Sequence, residues 1–138
     1  MNLVHSFDTL LLAMSIAAVV VFIALQFVEA GYGMMFSRKW GISVDNRLGW
    51  VLMESPVFFA MLALWWMSER TFMAAPLAMF VIFRLHYFQR SFIFPLLIRG
   101  HNRMPVSIML MGVVFNLLNA LMQGGWLFYL SPADRCPD

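Results

Sequence analysis

Residues Phe83 to Gly100 read FRLHYFQRSFIFPLLIRG. Arg84, His86, Gln89, Arg90 and Arg99 stand there among Phe, Ile and Leu, with no polar run long enough to be a loop. The rest of the chain decides what such a mixture means. Of its 138 residues, 62% are hydrophobic and 12% charged, and its mean hydropathy is +0.80. A soluble domain has about 45 to 50% apolar and about 25% charged residues. The chain is therefore read as an all-α integral membrane protein whose solvent is lipid. The net charge of +2 and pI near 9.1 do not point to a nucleic-acid partner, because the basic residues lie between apolar segments and act as topology determinants.

A spanning helix needs about 20 mostly apolar residues, since each rises about 1.5 Å across a core about 30 Å thick. Four segments satisfy this, near 9–28, 50–67, 73–98 and 105–130, and together they form a single membrane domain over 1–138. Only His5 and Asp8 precede the first apolar run as charged or titratable residues. Without a basic n-region it reads as a retained helix and not as a cleaved signal peptide. The connections 29–49 and 99–104 carry Arg38, Lys39, Arg47, Arg99 and Arg103, whereas Ser68 to Arg70 balances one Arg against Glu69. The positive-inside rule then places loops 29–49 and 99–104 in the cytosol and the amino terminus on the other side. Cys136, the single cysteine, excludes an intrachain disulfide and fits no metal-ligand spacing.

Ionised groups inside a bilayer cost about 2.5 to 3.5 kcal/mol each even on the lenient insertion scale, so they face a partner, a cavity or the interface. At about 100° per residue, His86, Tyr87, Arg90 and Ser91 spread over about 140° of the third helix. Gly112, Asn116, Asn119 and Gln123 form one stripe on the fourth, with a glycine that permits close approach. Glu54, beside Trp50 and Pro56 in an apolar helix, suits a hydrogen-bond donor or proton carrier. Asn116 serves equally well as interhelical glue. No Walker loop, GxGxxG, HExxH or GxSxG motif occurs. The residues by themselves leave two classes open: an enzyme acting on a lipid-soluble substrate, or a transporter or channel segment with a polar intramembrane cavity.

HYFQRSFIFPLLIRG, followed by MP and FNLLNALMQG, resembles the steroid 5α-reductase family, as does GWVLMESPVF and, more weakly, GYG at Gly31 to Gly33. The resemblance covers about Tyr32 to Gly124. It implies the amino-terminal part of a seven-helix bundle, truncated before the carboxyl-terminal cofactor-binding helices. That missing half would be a partner, and the fragment alone would be inactive. It further implies an oxidoreductase acting on CH-CH groups. NADPH would reduce the C=C bond of a 3-oxo-4-ene steroid or similar hydrophobic enone lipid. Tyr87 and Glu54 would be catalytic and hold the substrate carbonyl, with Trp50 and Asn119 in the substrate site. Tyr32, Arg90, Arg99, Arg103 and Gln123 would face the cofactor, the arginines suiting its phosphates. Two departures from the family pattern stand out: Met111 replaces an arginine common before the glycine matching Gly112, and the RGHNRMP loop is one residue longer than in some relatives.

Overall fold

A computed structural model describes residues 2–28 and 37–132. Tyr32 and Cys136 lie outside the described residues. Among these, α1 (Leu3–Ala24) precedes a 3-10 turn (Arg38–Trp40), β1 (Ser43–Asp45) and α2 (Asn46–Trp66). A short turn leads to α3 (Ala74–Phe88), a π-helical segment (Gln89–Ile93) and α4 (Phe94–Leu97). Then come β2 (Arg103–Pro105), α5 (Val106–Gly125) and a second π segment (Trp126–Leu130).

Among the described residues, three helical runs are long and apolar enough to cross a membrane: α1, α2, and α5 with its π extension, Val106–Leu130. The fourth expected span is a composite, because the α-helical register breaks at Gln89. Phe94 N–H bonds Gln89 C=O, five residues back. Pro95 explains why a regular helix is disfavoured here: it has no N–H for the Ser91 carbonyl, and its ring crowds that carbonyl in an α-turn. Widening the preceding turn accommodates both. Ser131 N–H likewise bonds Trp126 C=O at 2.8 Å, five residues back, at the end of the second π segment.

No strand is expected from the sequence, yet β1 and β2 pair antiparallel, with Val44 opposite Met104 and Asp45 opposite Arg103. Asn46 N–H to Asn102 C=O (3.0 Å) and Val106 N–H to Ile42 C=O (2.8 Å) extend the ribbon at either end. Because α2 follows β1 and α5 follows β2, the ribbon starts both helices at the same end of the bundle, and they run parallel. Asp45 also caps α2, accepting from Arg47 N–H at 2.9 Å and Leu48 N–H at 3.3 Å.

At the opposite end the α2–α3 turn is tied to the end of the α5 run. Arg70 Nη1 donates to Ser131 C=O and Oγ, both at 2.7 Å. Ser68 Oγ donates to Phe128 C=O at 3.3 Å. A cation on the carbonyls that end a helix is favoured there by the helix dipole, so Arg70 is a latch at this end.

Lipid tails are as apolar as leucine, so burial from lipid contributes little and helices associate through close packing and hydrogen bonds. The α2–α5 interface follows that rule. Val57 and Ala120 are fully buried, Gly124 lies against Leu64 and Met61, and Gly112 lies under Met53. A Cβ on Gly112 would overlap both Sδ and Cγ of Met53, whereas one on Gly125 would meet nothing within 4 Å. Gly112→Ala is expected to cost about 1 to 3 kcal/mol as overpacking. Gly125→Ala should be neutral or stabilising by at most about 1 kcal/mol. Thermal unfolding of the two variants in detergent micelles checks the contrast.

α1 is the exception to this packing. Met14 is its buried residue, and two of its hydroxyls bond within the helix, Thr9 Oγ1 on His5 C=O and Ser15 Oγ on Leu11 C=O, each at 2.8 Å. A helix with apolar residues on every side and no polar stripe is suited to lipid on most of its circumference.

Candidate functional site

α3 runs antiparallel to α2, which brings the Phe83–Gly100 stretch back along α2 in reverse order. Arg84 meets Phe58, Arg90 meets Glu54, and Phe94 meets Trp50. Arg84 Nη1 donates to the Phe58 carbonyl at 2.7 Å, and its guanidinium sits 3.3 Å from the centre of the Phe58 ring. Its charge is thus held by α2 through a carbonyl and a ring face.

Two hydrogen-bonded groups occupy the space between α2, α3 and α5. In the first, Arg90 Nε donates to Glu54 Oε1 at 2.8 Å, and the guanidinium lies 5.2 Å from the Trp50 ring. Asn116 Nδ2 donates to Glu54 Oε2 at 3.2 Å and to Met53 C=O at 3.1 Å. Both carboxylate oxygens therefore accept. The Glu54 side chain is 2% exposed and has a donor at each oxygen. In the second group, Gln123 Nε2 donates to Asn119 Oδ1 at 2.9 Å, and Asn119 Nδ2 donates to the Tyr87 hydroxyl oxygen at 3.2 Å. Tyr87 is buried, with its ring against Phe83 and the edge of His86.

The helix-five stripe is thus divided between two neighbours, Gly112 and Asn116 facing α2 and Asn119 facing Tyr87 of α3. Asn116, which the spacing equally allowed to be glue, is the residue that completes the shell of Glu54. What would have marked it is its stripe position combined with a carboxyl on the facing helix.

Three cavities border these groups. The largest, about 690 Å³, opens between α1, α2 and α5 and is walled by Met14, Met53, Met104 and Met111, with Trp50 and Arg90 at one side. A second of about 520 Å³ has Tyr87, His86 and Gln123 in its wall. A third, about 210 Å³, lies against Trp50, His86, Gln89 and Arg90. The two larger volumes fall within the about 300 to 1,000 Å³ of small-molecule sites. Tyr87, expected to hold a carbonyl together with Glu54, is in the wall of the second cavity, and Glu54 lines none of these three and is bonded to Arg90 and Asn116. Four methionines around the largest cavity make its wall adaptable in shape. Met111, where the family commonly has arginine, contributes to that apolar wall.

The residues expected at the cofactor are spread along the bundle. Arg90 is 45% exposed and bonds Glu54 only through Nε. Arg99 is exposed at the ribbon end. Gln123 lies seven residues beyond Asn116, about 10 Å along the helix axis, and is bonded to Asn119. Arg103 stands apart, tied to Ser43 by Nε–Oγ (2.8 Å) and Nη2–O (2.6 Å) contacts.

No family model matches the chain. Among curated proteins, it is 32% identical over 111 residues to the steroid 5-alpha-reductase DET2 of Arabidopsis thaliana, covering 76% of this chain and 42% of that protein. The chain is a steroid 5α-reductase homologue. It is also 33% identical to the 3-oxo-5-alpha-steroid 4-dehydrogenase 2 of Sus scrofa, over 84% of this chain and 48% of that protein. With isoform 1 of Mus musculus it shares 32% over 87% of this chain and 48% of that protein. The chain thus spans under half the length of the curated relatives it matches. All three relatives are reductases or dehydrogenases by name, which does not favour the transporter reading.

Proposed function

We propose that this homologue contributes the carbonyl-holding part of a membrane reductase that saturates the C=C bond of a 3-oxo-4-ene steroid, or of another enone lipid of similar shape. The region of the relatives that the match does not reach would supply most of the cofactor site. The observation that carries this reading is the direction of the Gln123–Asn119–Tyr87 chain. Asn119 donates to the phenol oxygen, which leaves the Tyr87 proton free for an acceptor in the cavity beside it.

Adding hydride to the β-carbon of an enone builds negative charge on the ketone oxygen. A donor already aimed at that oxygen in a water-poor cavity stabilises the transition state by about 3 kcal/mol. Tyr87 fits that task because its ring is fixed by Phe83 and its oxygen by Asn119. Glu54 acts through Arg90: it orients the guanidinium and neutralises its charge against Trp50, and so is a positioning residue. Asn119 and Gln123 hold the phenol, which ranks Gln123 with the substrate side.

NADPH, the cofactor this reading requires, would supply the hydride. On this chain, Arg90 and Arg99 suit its phosphates, because the Nη groups of Arg90 are free of the Glu54 contact and Arg99 is exposed. The same reading puts the ribbon end, with Arg38, Lys39, Arg47, Arg99 and Arg103, in the cytosol.

The test is to join this chain to the carboxyl-terminal half of a relative, confirm that the product is folded, and follow NADPH oxidation. Steroid-dependent oxidation with a 3-oxo-4-ene substrate, and its absence with the saturated 3-oxo steroid, is the expected result. A folded fusion that binds NADPH and turns over no enone argues against the proposal.

A further inference from the structure

At the ribbon end lies a concavity of about 650 Å³ bordered by Arg38, Gly41, Ile42, Ser43 and Arg103. Its lining residues are exposed, with Ser43 half-buried. Alternation along β2 turns Met104 inward onto Gly49, where it is 1% exposed, and leaves Arg103 outward. Arg103 is therefore not a neighbour of Arg90 and Trp50, and its charge needs another explanation.

Two features make this a formed site. The two contacts to Ser43 fix the Arg103 guanidinium and leave its Nη1 edge without a partner among the described residues. Gly41, at φ +88°, turns the chain between Arg38 and the ribbon, a conformation that side chains bearing a Cβ rarely adopt. Ser107 Oγ on the Trp40 carbonyl and Val106 N–H on the Ile42 carbonyl then hold this turn to the start of α5. Among the described residues, no carboxylate lines the concavity. Asp45 stands opposite Arg103 in the ribbon, but its Oδ1 is occupied by the first turn of α2, and it forms no ion pair with Arg103.

The chemistry of the wall is amphipathic. Two guanidinium groups suit a phosphate, and Ile42, 82% exposed, lines the same concavity. We propose that Arg38 and Arg103, on either side of Ser43 and Ile42, bind the phosphate of an anionic phospholipid, with Ile42 against the first methylenes of its acyl chain. A free phosphate shares the headgroup chemistry but has no use for Ile42. The site adjoins the starts of α2 and α5, two candidate membrane spans, and helix ends of that kind would meet the lipid headgroups. This inference does not depend on the reductase reading.

Native mass spectrometry of the full chain in mild detergent, with phosphatidylglycerol and phosphatidylcholine of equal chain length, tests it. Phosphatidylglycerol is expected to be retained over phosphatidylcholine. Arg38→Gln and Arg103→Gln should each weaken that retention about fivefold, the effect of one cation near a lipid surface. Arg47→Gln, at the same end but outside the concavity, should leave it unchanged, and millimolar inorganic phosphate should not displace the lipid. Arg103→Gln also removes the Ser43 contacts. Arg38 makes no side-chain hydrogen bond among the described residues, so Arg38→Gln is the decisive variant, with circular dichroism to confirm the fold. Equal retention of the two lipids, an unaltered Arg38→Gln, an equal loss in Arg47→Gln, or displacement by inorganic phosphate would each overturn the proposal.

Discussion

Tyr87→Phe, introduced into a chain completed by the carboxyl-terminal half of a relative, is expected to lower kcat by about 10²- to 10³-fold, the effect of deleting one preorganised oxyanion donor. The substitution keeps the ring contacts with Phe83 and His86 and removes only the hydroxyl. In the proposed role, ground-state binding of the steroid would rest mainly on the apolar wall, so KM should change little. A donor whose interaction strengthens only as charge develops lowers kcat and kcat/KM together. Asn119 loses an acceptor in the variant, at about 1 kcal/mol of stability, which is too little to unfold a bundle or to produce the kinetic loss. Steady-state NADPH oxidation at several steroid concentrations separates the cases. Turnover within threefold of the parent chain would remove Tyr87 from the chemistry, and a rise in KM alone would make it a binding residue.

Arg90→Met is expected to be the most destabilising single change to this bundle that leaves the apolar packing in place. Glu54 is 2% exposed, and its Oε1 has Arg90 Nε as partner at 2.8 Å. Taking away that partner leaves a buried carboxylate with the Asn116 amide alone. Breaking a buried pair costs about 3 to 5 kcal/mol, and because Arg90 itself is 45% exposed the lower end, about 3 kcal/mol, is the expected loss. Removing both charges tests the cause. Arg90→Met combined with Glu54→Leu should recover most of the stability, since a buried ion pair replaced by apolar groups of similar size is often neutral or better. Unfolding midpoints of the two single variants and the double in the same detergent supply the cycle. If the double variant is no more stable than Arg90→Met, the loss came from the stem of Arg90 packing on Trp50 and not from the stranded carboxylate.

The membrane class and the approximate course of the helices follow from features that need no partner. A run of apolar residues as long as the bilayer is thick has one stable backbone, because lipid offers no hydrogen bonds to an unfolded one. The polar stripe Gly112, Asn116, Asn119 and Gln123 was legible for the same reason, being a property of one helix and its period. The ribbon was not legible. Strands of three residues show no alternation that a window can detect, and RGHNRM reads as a loop until SVD is placed beside it. Nor do the π segments announce themselves, since a wider turn at Gln89 uses the same residues that an α-turn would.

The roles of the charged residues divide along the same line. The sequence by itself determined that Glu54, Arg84, Tyr87 and Arg90 lie in apolar helices and must therefore find partners, because an unpaired charge or donor in lipid is costly. Which partner each one finds depends on the direction, rotation and offset of one helix against another. Those are set by the parallel start that the ribbon imposes on α2 and α5, by the antiparallel return of α3, and by the glycines that let α5 approach α2. Only the tertiary structure gave Glu54 to Arg90 and Asn116, gave Tyr87 to Asn119, and turned Arg103 out of the bundle, because a contact between residues 32 or more positions apart is a property of packing that no local pattern encodes.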